Sequence, residues 1–60
     1  MKIRRQIRET GEELTVTSKM SKKDFIAMLK HQFYVKSVTE LDDKTFIRTE
    51  TSTFTLEGNE

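Results

Sequence analysis

The chain has 60 residues, a formal net charge of +1, 33% hydrophobic residues, one histidine and no cysteine. A chain this short buries only about 60% of the surface that its unfolded form exposes, so small domains commonly depend on a disulfide, a metal or a partner subunit. The lack of cysteine excludes disulfides and thiolate metal sites, and a single histidine argues against a zinc site within one chain. We therefore expect one domain, residues 1–60, that has no cofactor and forms a homodimer.

Two alternating segments open the chain. Residues 2–9 alternate isoleucine or arginine with basic and polar side chains, and residues 13–20 alternate apolar with polar side chains. A period of two residues is typical of a β-strand. Thr10-Gly11 lies between them, and glycine readily adopts the positive φ that hairpin turns need. The sequence thus predicts an antiparallel hairpin.

The pattern changes at Ser21, which begins an S-K-K-D sequence typical of a helix N-terminus. Residues 22–33 contain no glycine or proline, and their apolar side chains recur at the spacing of an amphipathic helix. We expect the helix to bury one apolar stripe, which consists of Phe25, Ile26, Met28, Leu29 and Phe33.

Extended chain follows the helix. Residues 34–41 are typical of a strand, and Asp42-Asp43 of a tight turn, because aspartate bonds to its local backbone. Residues 44–57 would form an unusually long strand, since strands commonly have about 3–10 residues. Length favours a break near 50–52 and a fifth strand, although no Gly, Asn or Pro marks a turn there. A single bent or bulged strand is the alternative.

These elements predict an α+β fold in the order β-β-α-β-β(β), with one helix packed on an antiparallel sheet. In the last segment, threonines at 49, 51, 53 and 55 share one parity, which suits a solvated sheet face because threonine favours strands and tolerates water. The opposite parity assigns Phe46 and Phe54 to the core. The expected contribution of the sheet to the core is Ile3, Ile7, Leu14, Val16, Val38, Phe46, Phe54 and Leu56.

Charge is divided unevenly along the chain. Residues 1–36 carry nine Lys/Arg and four Asp/Glu, a net +5, and residues 37–60 carry two and six, a net −4. A basic, hydroxyl-rich sheet face could bind phosphate oxygens, or it could be a solvated face that protects an edge strand from aggregation. The candidate nucleic-acid-binding residues are Lys2, Arg4, Arg8, Lys19, Lys22 and Lys23.

A protein interface is predicted at Tyr34, Val35 and Ile47. An exposed Tyr34 directly after the helix suits an interface hot spot, although both Phe33 and Tyr34 could instead complete the core. Ile47 shares the parity of the threonines and so breaks the alternation of its segment. Arg5 shares parity with the inward isoleucines. An inward charge can protect an edge or pair with a carboxylate of another subunit, but an exposed end of the sheet is the simpler explanation and the one we favour.

No catalytic or metal-binding residue is predicted. His31 has no spacing that selects a nucleophile for it, and two glycines exclude a P-loop or a dinucleotide-binding loop. We therefore expect a complete, cytoplasmic, non-enzymatic interaction protein that self-associates and binds or regulates another macromolecule. The alternative is a nucleic-acid-binding accessory protein that uses a basic sheet face and the helix N-terminus. Neither function involves a membrane or a small-molecule substrate.

Overall fold

A computed structural model describes residues 1–58 of the chain. It contains five strands and one helix, and the predicted α+β fold is confirmed, including the fifth strand. Their bounds are Lys2–Ile7 (β1), Glu13–Thr17 (β2), Lys22–Gln32 (α1), Val35–Leu41 (β3), Lys44–Thr49 (β4) and Ser52–Glu57 (β5).

The strands form one antiparallel sheet in the order β2-β1-β5-β4-β3. The last strand therefore lies in the middle, between the β1–β2 hairpin and the β3–β4 hairpin. β1 pairs with it from Lys2 opposite Glu57 to Ile7 opposite Ser52. The edges of the sheet are β2 and β3, so the chain places neither of its last two strands at an edge.

Local signals set the bounds of α1. The Ser21 side chain accepts a hydrogen bond from the backbone N–H of Asp24 at 3.2 Å, which satisfies one of the free donors of the first turn. Phe33 is the C-cap, and its backbone N–H donates to the Leu29 carbonyl at 2.7 Å. The helix thus begins where the sequence predicts and ends at Gln32, one residue earlier than expected.

The core lies between α1 and the central strands. Its aromatic centre is Phe54, whose ring centroid is 6.0 Å from that of Phe25 and 6.2 Å from that of Phe33. The guanidinium of Arg5 lies over the rings of Phe33 and Phe54. The buried hydrophobic residues are Ile3, Phe25, Leu29, Ile47, Phe54 and Leu56.

This core is narrower than the sequence predicts. Leu14, Val16 and Val38 share the helix-facing side of the sheet with Ile3 and Ile47, because each pairs directly or through a neighbour with a core residue. They nevertheless remain exposed by 53%, 56% and 39%. A helix is about 10 Å wide, whereas five strands about 4.8 Å apart span roughly twice that width. One helix therefore covers the central strands and leaves both edges open.

Ile47 and Phe46 exchange the places that the sequence assigns them. Ile47 is fully buried, and Phe46 lies on the opposite side of the sheet. The cause is the turn at 50–51, which has two residues and pairs Ile47 with Phe54. Odd-numbered residues of β4, such as Ile47, consequently share a face with even-numbered residues of β5, such as Phe54. In one continuous strand, all residues of one parity would lie on the same face.

Side-chain hydroxyls help to close the turn at residues 50–51, where the sequence has no Gly, Asn or Pro. The Thr49 hydroxyl accepts from the backbone N–H of Ser52 at 3.1 Å and donates to its carbonyl at 3.2 Å. The guanidinium of Arg8 donates to the carbonyls of both residues. The predicted break is confirmed. Thr49 is buried, not solvated as expected, whereas Thr53 and Thr55 lie half-buried on the side away from the helix.

No helix within residues 1–58 is long and apolar enough to cross a membrane.

Candidate interaction surfaces

The edge strand β2 presents free backbone groups to solvent. Met1 and Ser18 exchange backbone hydrogen bonds at 3.0 and 2.9 Å, and bonded pairs alternate with non-bonded pairs in an antiparallel ladder. The backbone groups of Val16 and Leu14 therefore point towards β1. Those of the three alternate residues point away from the sheet; these residues are Glu13, Thr15 and Thr17.

Side chains of β2 are exposed along its whole length. On the helix-facing side, Leu14 and Val16 border a groove of about 220 Å³ that lies between this edge and α1. Phe25 forms part of the opposite wall. Met20, in the connection to the helix, is also exposed. Within residues 1–58, the outer edge of β2 is thus unpaired, and its helix-facing side is apolar; from residue 14 to residue 17 it carries no charge.

The other edge, β3, is built differently. Its pairing with β4 shifts register between Val35 and Ser37, which places Lys36 in a β-bulge. Glu40 pairs with Thr45 and so brings a carboxylate to the helix-facing side. Bulges and charged side chains are features by which native edges avoid pairing with other strands.

The sheet face opposite α1 is open and polar, and we call it the open face. Phe46 lies near its middle, directly between Thr55 of β5 and Thr39 of β3. It is flanked along β4 by Lys44 and Arg48. Lys44 forms an ion pair with Glu57 at 3.7 Å. The strand pairing assigns the following further residues to this face: Lys2, Arg4, Gln6, Glu13, Thr15, Thr17, Ser37, Leu41 and Thr53.

The six predicted nucleic-acid-binding residues do not form one surface. Lys2 and Arg4 lie on the open face. The guanidinium of Arg8 is engaged by the β4–β5 turn and by the Thr53 hydroxyl. Lys19 is exposed in the connection between β2 and α1.

The remaining two, Lys22 and Lys23, lie on the helix layer, on the other side of the sheet from Arg4. With Lys30 they border a second groove, of about 460 Å³, between α1 and Glu40 of β3. The basic residues of the first 36 positions therefore lie on two faces of the molecule. The excess of positive charge in that part of the sequence does not form a single basic surface.

The three predicted interface residues also lie in different environments. Tyr34 is 67% exposed, but Val35 packs against the core and Ile47 is fully buried. Ile47 is therefore corrected from an interface residue to a core residue, because the two-residue turn directs it towards α1. Of the three, Tyr34 alone is presented to solvent as a large exposed side chain.

The chain matches no protein family model, no curated protein and no solved structure. Within residues 1–58, no group of three or more His, Asp or Glu side chains could hold a metal ion. The two candidate interaction surfaces are therefore edge β2 and the open face. Sequence reasoning missed Leu14 and Val16 as surface residues by assigning them to the core. The signal available was the uncharged run from 14 to 18, bounded by Glu13 and Lys19.

Proposed function

We propose that this chain is a small non-enzymatic interaction protein that self-associates through edge β2 and, so assembled, binds another macromolecule. The observation that carries the proposal is the combination of free backbone groups and exposed apolar side chains on β2. An unprotected edge of this kind is a template for pairing with another strand. Strand addition supplies backbone hydrogen bonds for affinity, and alternate side chains supply specificity.

Size supports the same proposal. Within residues 1–58, the buried hydrophobic core consists of six residues, and a domain of about 60 residues gains proportionally more from a second chain than a larger one does. Burying Leu14 and Val16 would extend this core without any change in the fold. The proposal takes the protein to act in the cytoplasm, which suits a chain that has no cysteine.

Matched valines on the two edges provide the test. Val16 of β2 and Val38 of β3 are both exposed and both on the helix-facing side. We expect the wild-type chain to dimerise at micromolar to millimolar concentration in sedimentation equilibrium. Val16→Lys should raise the dissociation constant at least tenfold, whereas Val38→Lys should leave it unchanged. A wild-type chain that stays monomeric, or equal effects of the two substitutions, would refute the proposal.

Nucleic-acid binding is the second candidate function, and the position of Phe46 favours it. An aromatic ring on an open sheet face can stack on an unpaired base, and Arg4 and Arg48 lie on the same face as possible phosphate ligands. Single-stranded nucleic acid is therefore the ligand that this face fits best. The second candidate uses the open face and not the helix N-terminus, because Lys22 and Lys23 lie on the other side of the sheet.

Fluorescence anisotropy with labelled single-stranded DNA and RNA tests this candidate. We expect binding at low salt that weakens steeply as salt rises, because phosphate neutralisation releases counterions. Phe46→Leu should weaken it several-fold, since stacking of a base on an aromatic ring is worth about 1–3 kcal/mol. Lys30→Gln, on the helix layer, is the control. Absence of binding at low salt would reject this candidate.

A further inference from the structure

We propose that β2 pairs with β2 of a second copy in one particular register, with Thr15 on the two-fold axis. The inference rests on the proposed function and specifies the partner and the geometry. The proposed assembly is a continuous ten-stranded antiparallel sheet with one helix on each half, both on the same side.

Backbone direction limits the possible registers. Within β2, Glu13, Thr15 and Thr17 are the residues that direct their N–H and carbonyl groups away from the sheet, so these residues must form the hydrogen-bonded pairs across a new interface. A two-fold axis can then pass through Leu14, Thr15 or Val16. The axis through Thr15 pairs Thr15 with itself and Glu13 with Thr17. It is the register in which every outward group of both strands finds a partner, and it closes six hydrogen bonds.

Side chains favour the same register. On the helix-facing side it pairs Leu14 with Val16 of the second copy at non-hydrogen-bonded positions, where side chains approach most closely. Four apolar side chains then form one strip that joins the two 220 Å³ grooves. On the open face, Thr15 faces Thr15, and β-branched threonine pairs across strands are favourable.

Charge is also complementary in this register. Lys19 follows Thr17 by two residues, and Thr17 faces Glu13 of the second copy. The ammonium of Lys19 therefore comes close to that carboxylate, once on each side of the axis. No like charges face each other along the paired strands, because the centre of β2 carries none. A shift of the axis to Leu14 or Val16 leaves part of each strand unpaired.

A cysteine scan reads the register directly, because the chain has no cysteine of its own. A single cysteine on a two-fold axis faces its own copy at a Cα separation of about 4.5–5.5 Å in an antiparallel ladder, which lies within the range for a disulfide. The scan comprises Leu14→Cys, Thr15→Cys and Val16→Cys, with Thr39→Cys on the other edge as the control. Each variant is oxidised under mild conditions and examined by non-reducing electrophoresis, together with light scattering of the reduced protein.

We expect Thr15→Cys to form a disulfide-linked dimer at least tenfold faster than the other three variants. Faster cross-linking of Leu14→Cys or Val16→Cys would overturn the register while leaving association through β2 in place. Cross-linking of Thr39→Cys alone would overturn both the register and the use of β2. If light scattering of the wild type and the reduced variants shows only monomers, the proposed function fails together with this inference. Circular dichroism establishes that each variant is folded before it is scored.

Discussion

The two edge strands of the sheet, β2 and β3, are similarly exposed but differ in the regularity of their pairing and in their charge. β2 is regular in its pairing, uncharged from residue 14 to residue 17, and apolar on the helix-facing side. β3 has a bulge that holds Lys36, and it brings Glu40 to the same side of the sheet. Both edges remain uncovered because one helix spans only the central strands.

The difference between the edges indicates where association is suppressed and where it is available. A bulge distorts the hydrogen-bond ladder that an incoming strand would need. A charged side chain on an edge strand would lose part of its hydration when another strand pairs beside it. β3 has both features, whereas β2 has no bulge and carries its one charge, Glu13, at its first residue. A chain that only needed to avoid aggregation would be expected to protect both edges, so the contrast is the main physical support for β2 as an interface.

Removing one backbone donor at the centre of β2 is expected to have the largest effect on association. Thr15→Pro deletes an N–H that points away from the sheet, so the pairing of β1 with β2 is kept. Two central hydrogen bonds of the dimer are lost, and the proline rings obstruct the approach. We expect the dissociation constant to rise about 30-fold to 100-fold, equivalent to about 2–3 kcal/mol. Sedimentation velocity measures it.

The matched control is Thr15→Val, which keeps the N–H and a β-branched side chain. It should leave the dissociation constant within about threefold of wild type, because the backbone hydrogen bonds are kept and a cross-strand side-chain pair contributes only about 0.2–1 kcal/mol. Equal behaviour of the proline and valine variants would show that β2 is not the paired edge.

Charges placed at residue 15 should weaken dimerisation of each variant alone and restore it when two oppositely charged variants are mixed. Thr15→Glu and Thr15→Lys each place like charges opposite each other on the axis, and like charges at directly opposed positions destabilise strand pairing. Each variant alone should dissociate about tenfold more readily than wild type. An equimolar mixture should restore association as a mixed dimer, because the opposed charges are then complementary. Native mass spectrometry distinguishes the mixed dimer from the two homodimers.

The control pair for this experiment is Thr39→Glu and Thr39→Lys. Thr39 has the corresponding position on the open face of β3, so these substitutions should leave dimerisation unchanged, alone or mixed. Charge rescue by the Thr39 pair would assign the interface to the other edge.

Removing the charges of β3 should make the two edges more alike. The double variant Lys36→Val and Glu40→Val deletes both charges from this edge and keeps the bulge. We expect light scattering to show species larger than the dimer at concentrations where wild type stops at two chains, because each molecule then offers a second edge without charged side chains. Combining the double variant with Thr15→Pro should return it to a dimer. A double variant that resembles wild type would show that the bulge alone protects β3.

The smallest effect concerns the centre of the sheet and not its edges. The Thr45 hydroxyl is buried and has no hydrogen-bond partner among residues 1–58, and an unsatisfied buried hydroxyl costs about 1–3 kcal/mol. Thr45→Val should therefore stabilise the fold by about 1 kcal/mol in urea denaturation, measured at one protein concentration. Thr55→Val on the open face is the control and should change stability by less than about 0.5 kcal/mol. Dimerisation should not respond to either substitution.

Much of the secondary structure follows from local chemistry. Ser21 and the apolar spacing after it are sufficient to predict α1, and the alternation before Gly11 is sufficient to predict the first hairpin. Gly11 has a φ of 77°, in the region that glycine adopts at little cost. Asp42, in the second predicted turn, has a φ of 57°, which aspartate tolerates better than most residues. These signals lie within a few residues of the structures that they determine.

The turn at 50–51 shows where local chemistry was insufficient. The sequence lacks a turn residue there, and the closing contacts come from the Thr49 hydroxyl and from Arg8, which is more than forty positions away in the chain. The length of the segment indicated that a turn exists, but the number of residues in it decided which face each side chain occupies. One residue more or fewer would have placed Phe46, and not Ile47, in the core.

The sequence by itself determined the order of the elements, the helix, the turns at Gly11 and Asp42 and the approximate charge balance, because each depends on nearby residues and on composition. The tertiary structure alone decided that β5 lies in the middle of the sheet, that Ile47 is buried, and that Leu14 and Val16 are exposed. Burial depends on which distant strands pair and on how far one helix reaches across them. The width of a single helix relative to five strands is therefore what leaves β2 uncovered, and makes it the surface through which we propose this protein acts.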